Sequence, residues 1–296
     1  MSSGKPRLLI IGSTGFLGQH VARKGAGTFE VFEADLVRPG GEHGVSIDIT
    51  SAGSVNAAFD QTKPSCAILL AAVSDIDQCE QRPELAEAVN VCGAAHVASA
   101  CRRMGTRLLF TSSAAVFDGT RHGYRETDSP TPVSVYGRTK ARAEQLIATE
   151  LPEAVILRLA LVIGYAQGDG TNAMLNKFAA KLRAGEPVSL PNFEYRNPID
   201  AATLSDAILE LLMNQSAVGV LHLGATESIS RFDLGVRLAE RLGYSSTLVK
   251  PQTEPIPGRA PRGLDHFLIS ERIAAVCHLR LPSCEEVIER ATNGTT

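Results

Sequence analysis

The chain of 296 residues has no tryptophan, and aromatic residues make up only 5% of it. It also lacks an excess of positive charge, because 29 lysines and arginines stand against 32 aspartates and glutamates, for a formal net charge of -3. A nucleic-acid-binding surface needs clustered positive charge. The composition therefore argues against nucleic acid as a partner. Hydrophobic residues at 44% and charged residues at 21% are typical of a globular protein.

Signals for metals and membranes are also missing. The six cysteines form no C-x-x-C pair and lie mostly among apolar residues, so buried free thiols are expected and no metal site is predicted. Only a few apolar residues precede Gly12, too few for the core of a signal peptide or for a membrane span. We therefore expect a cytoplasmic protein that does not bind a membrane.

A glycine-rich stretch near the N-terminus organises the chain. Residues 11–18 read I-G-S-T-G-F-L-G directly after a short apolar run. Gly12 can make the tight exit from a strand, Gly15 allows a ligand to approach the backbone, and Gly18 allows the next helix to pack against the sheet. A helix that begins near Phe16 would offer its amides and dipole to a pyrophosphate. The predicted contacts of a dinucleotide here are Gly12, Thr14, Gly15, Phe16, Leu17 and Gly18.

An acid follows at the spacing that a dinucleotide fold requires. Asp35 ends the second predicted strand, 23 positions after Gly12 in the sequence. In such folds this acid accepts hydrogen bonds from the ribose hydroxyls of the adenosine half. Since a carboxylate repels the 2'-phosphate of NADP, NAD is the predicted cofactor, and NADP is an option because Arg38 could offset the repulsion. A solvated loop aspartate is the alternative interpretation of Asp35.

Alternating apolar strands and amphipathic helices predict an α/β fold with a doubly wound parallel sheet of the Rossmann type. Strands are predicted at 7–11, 30–34, 45–47, 67–72, 107–110, 154–159 and 220–223, with helices at 16–25, 83–104 and 134–150. Ligands bind such sheets at the carboxyl ends of the strands. This places Asp48 and Ile49 in the adenine pocket, and Ala71, Ala72 and Val73 in the wall beside the dinucleotide.

The remaining segments predict a smaller C-terminal region that covers the substrate. The dinucleotide-binding domain is assigned to residues 1–165 and 197–223, and the substrate-capping region to residues 166–196 and 224–296. Residues 164–171 contain three glycines and no apolar period, which predicts a mobile loop over the site. Arg231, Arg259 and Arg262 could contact a diphosphate-bearing substrate, although each one alone is more typical of a solvated surface residue.

Hydroxyl groups and a Tyr–Lys pair follow at the same predicted edge of the sheet. The fifth strand runs towards Ser113, and the helix that opens at Ser134 carries Tyr136 and Lys140 four residues apart, on one face. A nearby ammonium lowers the pKa of a phenol, which is otherwise near 10. We predict that Ser113 binds the substrate oxygen and Tyr136 exchanges a proton with it, while the cofactor carries the hydride. An isolated Y-x-x-x-K more often marks a helix surface, but here it follows five β-α units.

These motifs resemble those of the extended short-chain dehydrogenases/reductases. The resemblance spans nearly the whole chain and rests on Gly12, Gly15, Gly18, Asp35, Ser113, Tyr136 and Lys140. Within that superfamily, V-F-D-G at 116–119 and V-Y-G-R-T-K at 135–140 are similar to the dTDP-4-dehydrorhamnose reductase group. The resemblance implies an NAD(P)-dependent enzyme that reduces a keto group of a nucleotide-linked sugar.

Two departures from that group concern the sugar pocket. Ala114 and Ala115 stand where the group usually has an Asp-Tyr pair, and Leu161 stands where it has a tryptophan. Two alternative functions therefore stay open. One is an epimerase or dehydratase that retains its NAD. The other is a dinucleotide-binding regulatory subunit without efficient catalysis, because residues 116–140 also resemble the regulatory subunit of methionine adenosyltransferase. A homodimer is also compatible with the sequence.

Overall fold

A parallel sheet of seven strands lies at the centre of the computed structural model, which describes residues 4–166 and 173–293. The strands of the chain are β1 (Arg7–Ile11), β2 (Glu30–Asp35), β3 (Gly44–Ser46), β4 (Cys66–Leu69), β5 (Arg107–Ser113), β6 (Val155–Leu159), β7 (Leu161–Ile163), β8 (Val188–Pro191), β9 (Tyr195–Arg196), β10 (Pro198–Asp200), β11 (Gly219–Leu223), β12 (Ile229–Ser230), β13 (Val249–Gln252) and β14 (Asp265–His266). The central order is β3-β2-β1-β4-β5-β6-β11, with every neighbouring pair parallel. The predicted doubly wound sheet of the Rossmann type is confirmed.

Helices connect these strands. They are α1 (Phe16–Gly25), α2 (Ala52–Thr62), α3 (Ile76–Gln81), α4 (Pro83–Glu87), α5 (Gly93–Met104), α6 (Val135–Glu150), α7 (Met174–Arg183), α8 (Ala201–Met213), α9 (Arg231–Arg241), α10 (Glu271–Val276) and α11 (Cys284–Thr292). Local signals fix where several begin, because the side chains of Ser134, Asp200 and Ser230 each accept a hydrogen bond from an amide in the first turn of α6, α8 and α9.

The core lies on both faces of the central sheet. Along β1, Leu8 and Ile10 belong to one buried apolar cluster, whereas Leu9 and Ile11 belong to a second. Successive side chains of a strand point to opposite faces, so helices must cover both sides. This explains why the strand reads as a continuous apolar run and why its carboxyl end is the free edge where a site can form.

Two predicted elements differ from the structure, and one helix was not predicted. The fourth strand ends at Leu69 and not at residue 72, because the amides of Leu70 and Ala71 both donate to the carbonyl of Ile11, at 2.9 and 3.0 Å, and the chain turns across the end of β1. The predicted helix 83–104 is interrupted by a π-helical turn, Ala88–Cys92, between α4 and α5. Helix α2 has no counterpart among the predicted helices.

Three small sheets lie outside the central one, and they pair β7 with β10, β8 with β13, and β9 with both β12 and β14. The predicted loop 164–171 lies largely outside the described residues. Five of the six cysteines are buried free thiols as expected, but Cys92 is exposed. Within residues 4–166 and 173–293, no helix has the length and apolar character needed to cross a bilayer, and no cluster of His, Cys, Asp and Glu side chains could hold a metal ion.

Candidate active site

A cavity of about 740 Å³ opens at the carboxyl ends of the central strands. One part of its wall follows β4, β5 and β6 and includes Ala72, Ser113 and Leu161. The opposite part includes residues of β8 and β9 and the segment 259–263. Open parallel sheets bind ligands in this position.

The turn between β1 and α1 is built from backbone with little room for side chains. Gly12 has a φ of +92°, and a Cβ added there would lie 2.6 Å from the amide nitrogen of Ala71. A Cβ on Gly18 would lie 2.4 Å from the carbonyl oxygen of Gly12, so Gly18 makes room for this turn and not, as predicted, for the sheet. At Gly15 the nearest atom would be 3.3 Å away. No side chain caps α1, so its amides from Phe16 onward suit a phosphate.

The carboxylate of Asp35 is held beside this turn. Its Oδ2 accepts hydrogen bonds from the Thr14 hydroxyl at 2.6 Å and from the Thr14 amide at 3.2 Å, and its Oδ1 accepts one from the Leu36 amide at 2.8 Å. Arg38 is exposed, and its Nε donates to the carbonyl of Gly44 at 2.7 Å. The structure thus brings Asp35 and Thr14 together, while Arg38 is bound to the first residue of β3.

The two predicted adenine-pocket residues have different surroundings. Oδ1 of Asp48 accepts hydrogen bonds from the hydroxyl and the amide of Thr50, at 2.7 and 2.9 Å, and these bonds lower the pKa of Asp48. The Ile49 side chain is buried in the core, and its carbonyl oxygen lies 2.9 Å from Nδ1 of His96. Of the two side chains, only that of Asp48 reaches the surface, and the adenine-binding role of both stays a prediction.

A buried amide supports the wall that follows β4. In the π-helical turn, Asn90 accepts a hydrogen bond from the Val73 amide at 2.8 Å and donates to the Val73 carbonyl at 3.0 Å. It also donates to the Thr139 hydroxyl on α6 at 3.1 Å. Asn90 therefore ties the wall formed by Ala71, Ala72 and Val73 to the helix that carries Tyr136.

Ser113, Tyr136 and Lys140 all line the same cavity. Ser113 ends β5, and its Oγ accepts a hydrogen bond from the Ala115 amide at 3.1 Å. Tyr136 and Lys140 lie on α6, where Lys140 is buried with its Nζ 4.1 Å from the centre of the Phe110 ring. The structure thus brings the three predicted catalytic side chains to one wall.

Burial dominates the ionisation of the Tyr–Lys pair. It raises the pKa of Tyr136 to about 12, against the opposing effect of a hydrogen bond with Ser113. It lowers the pKa of Lys140 to about 7, although the Glu144 carboxylate acts in the opposite direction. The pKa of Tyr136 therefore shifts in the opposite direction to the expected one, because the loss of hydration is the largest effect on it. Tyr136 is a protonated phenol at neutral pH.

An ion pair lies behind these residues. Arg158 on β6 donates to both carboxylate oxygens of Glu144, at 2.9 and 2.6 Å, and both side chains are buried. Ser112 also donates to Glu144, and Arg158 contacts His222 at 3.4 Å. Burial and the nearby Arg158 charge lower the pKa of His222 to about 3. This network fixes α6 against β5 and β6.

Four arginines line the far part of the cavity, namely Arg196, Arg231, Arg259 and Arg262. Arg262 is paired with Asp77 at 2.6 Å, and Arg259 lies 3.4 Å from Glu194. Within the described residues, the guanidinium of Arg231 has no hydrogen-bonding or ion-pair partner, and burial lowers its pKa. A partly buried cation without a partner favours binding of an anion. The three predicted arginines therefore meet at one cavity instead of being dispersed in solvent.

Sequence reasoning missed several residues of this site. Arg196 lies in β9 and Glu194 directly precedes it, and both are buried where β9 pairs with β12 and β14. Asp77 precedes the predicted helix 83–104, and its partner Arg262 is 185 positions away. No local pattern reveals such a contact. The arginines near the C-terminal end of the sequence, Arg259 and Arg262, were the one sequence feature that pointed to this part of the site.

Two features lie on the same Rossmann-type sheet: a helix start suited to phosphate, and a helix that carries the Tyr–Lys pair. Together they define the class of dinucleotide-binding short-chain dehydrogenases/reductases. Comparison with known proteins narrows this class. The chain belongs to the RmlD substrate binding domain family, whose family model matches residues 6–296.

Individual relatives agree with this family. The chain is 30% identical over 290 residues to the dTDP-4-dehydrorhamnose reductase of Mycobacterium tuberculosis, which covers 93% of this chain and 88% of the relative. It is 27% identical over 263 residues to methionine adenosyltransferase 2 subunit beta of Xenopus tropicalis, with 86% and 78% covered. The solved dTDP-4-dehydrorhamnose reductase of Bacillus anthracis, in complex with NADP, matches with a TM-score of 0.89 at 25% identity and covers 98% of this chain and 100% of that chain.

Proposed function

We propose that the protein is an NAD(P)-dependent reductase that reduces a keto group of a nucleotide-linked sugar. The observation that carries this proposal is a single cavity that has Ser113 and Tyr136 at one wall and an arginine cluster at the other. A substrate with a carbonyl at one end and a diphosphate towards the other fits this distribution of groups. The names of the reductase relatives support the same reaction class.

The cofactor supplies the hydride when it is bound. The absence of a side chain at Gly15, the uncapped start of α1 and the fixed Asp35 fit its pyrophosphate and ribose. The protein's own groups manage the proton. Because the pKa of Tyr136 is about 12, its phenol is protonated at neutral pH and can donate to the substrate oxygen. Ser113 hydrogen-bonds Tyr136 and orients that donor. Lys140 supplies a positive charge that favours the phenolate left behind.

The arginine cluster binds the diphosphate in this proposal. Arg231, which has no partner among the described residues, is the principal ligand, and Arg259 adds a second guanidinium. A guanidinium binds phosphate oxygens through two parallel hydrogen bonds. The buried Glu194 carboxylate lies 3.4 Å from both Arg196 and Arg259 and partly balances the positive charge of the cluster.

The test is turnover of NADH or NADPH with a panel of dTDP- and GDP-linked keto-sugars, followed by the absorbance of the reduced cofactor. Tyr136→Phe should lower kcat by about 100-fold or more, since general acid catalysis contributes roughly 10²–10⁴. Tyr244→Phe is the matched control and should retain full activity, because Tyr244 is not among the residues that line this cavity. Wild-type protein without turnover on any keto-sugar, with Tyr136→Phe identical to it, would refute the proposal. NAD retained through purification, with turnover but no net consumption of reduced cofactor, would indicate an epimerase or dehydratase.

A second candidate is a dinucleotide-binding regulatory subunit, which the similarity to methionine adenosyltransferase 2 subunit beta favours. In this case the protein would bind a partner enzyme and change its kinetics. Addition of the purified chain to methionine adenosyltransferase tests this directly. Turnover by the isolated chain would count against it.

Three finer proposals accompany the reductase. Residues 1–165 and 197–223 bind the dinucleotide, and residues 166–196 and 224–296 cover the substrate. The chain forms a homodimer, for which sedimentation equilibrium is the test. It acts in the cytoplasm, which cell fractionation would check.

A further inference from the structure

Helix α3 lies between the two functional parts of the cavity wall. We propose that Asp77, on this helix, is a positioning residue that holds the segment 253–262, called here the arginine segment, in place for substrate binding. The inference rests on the proposed function, because it assigns a diphosphate-binding role to this segment. It concerns how the segment is held, and Asp77 itself touches neither substrate nor cofactor in this proposal.

Asp77 makes three contacts with the arginine segment. Its Oδ2 accepts a hydrogen bond from Nη2 of Arg262 at 2.6 Å, and its Oδ1 accepts one from Nη1 of Arg262 at 3.1 Å. The same Oδ1 accepts a hydrogen bond from the Ala260 amide at 2.9 Å. Hydrogen bonds from Arg262 lower the pKa of Asp77, with smaller effects from the Ala260 amide and from Arg259. A two-pronged contact of this kind fixes orientation as well as distance.

The arginine segment has few other attachments. Among the described residues, its hydrogen bonds to other parts of the protein are those to Asp77, the 3.4 Å contact of Arg259 with Glu194 and one from the adjoining Gln252. The segment contains no regular secondary structure. The end of the segment nearest Arg262 therefore depends on Asp77 for a defined position, and Arg259 lies directly before the anchored Ala260.

The same short helix also contacts the catalytic side of the cavity. Oε1 of Glu80 accepts a hydrogen bond from the Val135 amide at 2.7 Å, at the start of α6 and next to Tyr136. Asp77 and Glu80 lie three residues apart on α3. One rigid turn of helix thus sets the spacing between the proton donor and the arginines. A nucleotide-linked sugar that spans the cavity needs this spacing to be constant.

Replacement of Asp77 should weaken binding of the nucleotide-linked substrate and leave binding of NADH unchanged. Asp77→Asn keeps the size of the side chain but loses the charge that binds Arg262. We expect the Kd for dTDP and the KM for a nucleotide-linked keto-sugar to rise about tenfold, since charge-assisted hydrogen bonds are lost. The kcat and the Kd for NADH should stay within about twofold, because the glycine turn and Tyr136 are untouched. Asp77→Glu, which keeps the charge, should recover part of the loss.

The experiment combines calorimetric titration of dTDP and NADH with hydrogen exchange of residues 253–262 in the full chain. Arg262→Lys is the second variant, because it keeps the positive charge but removes the two-pronged contact with Asp77. Glu271→Gln is the matched control, since it removes one negative charge from the exposed Glu271–Arg125 pair. Faster exchange in the arginine segment together with weaker dTDP binding, in both Asp77→Asn and Arg262→Lys but not in Glu271→Gln, supports the positioning role.

Two contrary outcomes are distinguishable. If wild type binds dTDP and Asp77→Asn changes neither exchange nor binding, the positioning role is refuted while the proposed function stands. If wild type binds no nucleoside diphosphate or nucleotide sugar, the diphosphate-binding role of the segment fails together with the proposed function. Faster exchange in Asp77→Asn would in that case still support Asp77 as the anchor of the segment.

Discussion

The carboxylate of Asp35 should make the protein prefer NADH to NADPH. Three hydrogen bonds from Thr14 and Leu36 hold this carboxylate at the end of β2, beside the glycine turn. A ribose with two hydroxyls can donate to it, whereas a 2'-phosphate brings a second anion to the same place. The Bacillus anthracis relative was solved with NADP, so the preference has to be measured for this chain.

The magnitude follows from Coulomb's law. A phosphate of charge about -2 placed ~5 Å from a carboxylate is disfavoured by about 1 to 3 kcal/mol at dielectric constants near that of water. NADH should therefore bind about 5- to 100-fold more tightly than NADPH, at 1.4 kcal/mol for each factor of ten. Arg38 could reduce this difference, but its Nε is bound to the carbonyl of Gly44 at 2.7 Å and it forms no ion pair with Asp35 in the described part of the chain.

Calorimetric titration of both cofactors decides the matter. Asp35→Ala should move the preference towards NADPH, and Arg38→Ala should sharpen the preference for NADH. Glu42→Ala is the matched control, because it removes a negative charge from the same exposed loop without touching Asp35. Tighter binding of NADPH to wild type, with both affinities unchanged in Asp35→Ala, would show that Asp35 does not bind the ribose.

Three further predictions concern ionisation and the buried network. Because burial lowers the pKa of Lys140 to about 7, kcat/KM for keto-sugar reduction should fall as pH rises above 7 and Lys140 loses its charge; a flat profile from pH 6 to 9 would contradict this. The pKa of His222 is about 3 in the folded chain and 6.5 in the unfolded chain. Between these pH values His222 binds a proton only in the unfolded chain, so the fold loses stability as pH falls from 6.5 to about 3. In urea unfolding, His222→Gln should reduce this loss by about 1.4 kcal/mol per pH unit, and an unchanged slope would rule it out. Glu144→Gln should destabilise the fold by about 3 to 5 kcal/mol because it leaves Arg158 buried and unpaired, whereas leucine at both positions should cost less than the sum of the single changes.

Local signals made much of the fold predictable. The unit β1-α1-β2 follows from an apolar strand, three spaced glycines and an acid, all within 35 residues. Ser113 and Tyr136 were predictable because strand ends and helix faces are periodic features of the sequence. By contrast, helix α2 was missed because its buried side is carried by few apolar residues, chiefly Val55 and Phe59.

Contacts between distant segments were beyond local patterns. The pairing of Asp77 with Arg262 depends on how the arginine segment folds back over α3, which no spacing rule encodes. The pKa of Tyr136 illustrates a different limit. Its sequence neighbours identify Lys140 as a nearby charge, but the sign of the shift depends on burial, which only the packed structure reveals.

The π-helical turn that contains Asn90 limits where this part of the chain can lose a residue. The amide of Gly93 donates to the carbonyl of Ala88, five residues earlier, so this turn holds one residue more than an α-helical turn. Each residue of an α-helix advances the side chain by about 100°. The extra residue therefore lets Asn90 face Val73 while Val97, further along, still faces the core. Deletion of one residue here would give a regular helix, but either Asn90 would no longer face Val73 or Val97 would no longer face the core. This stretch should therefore accept substitutions far more readily than deletions.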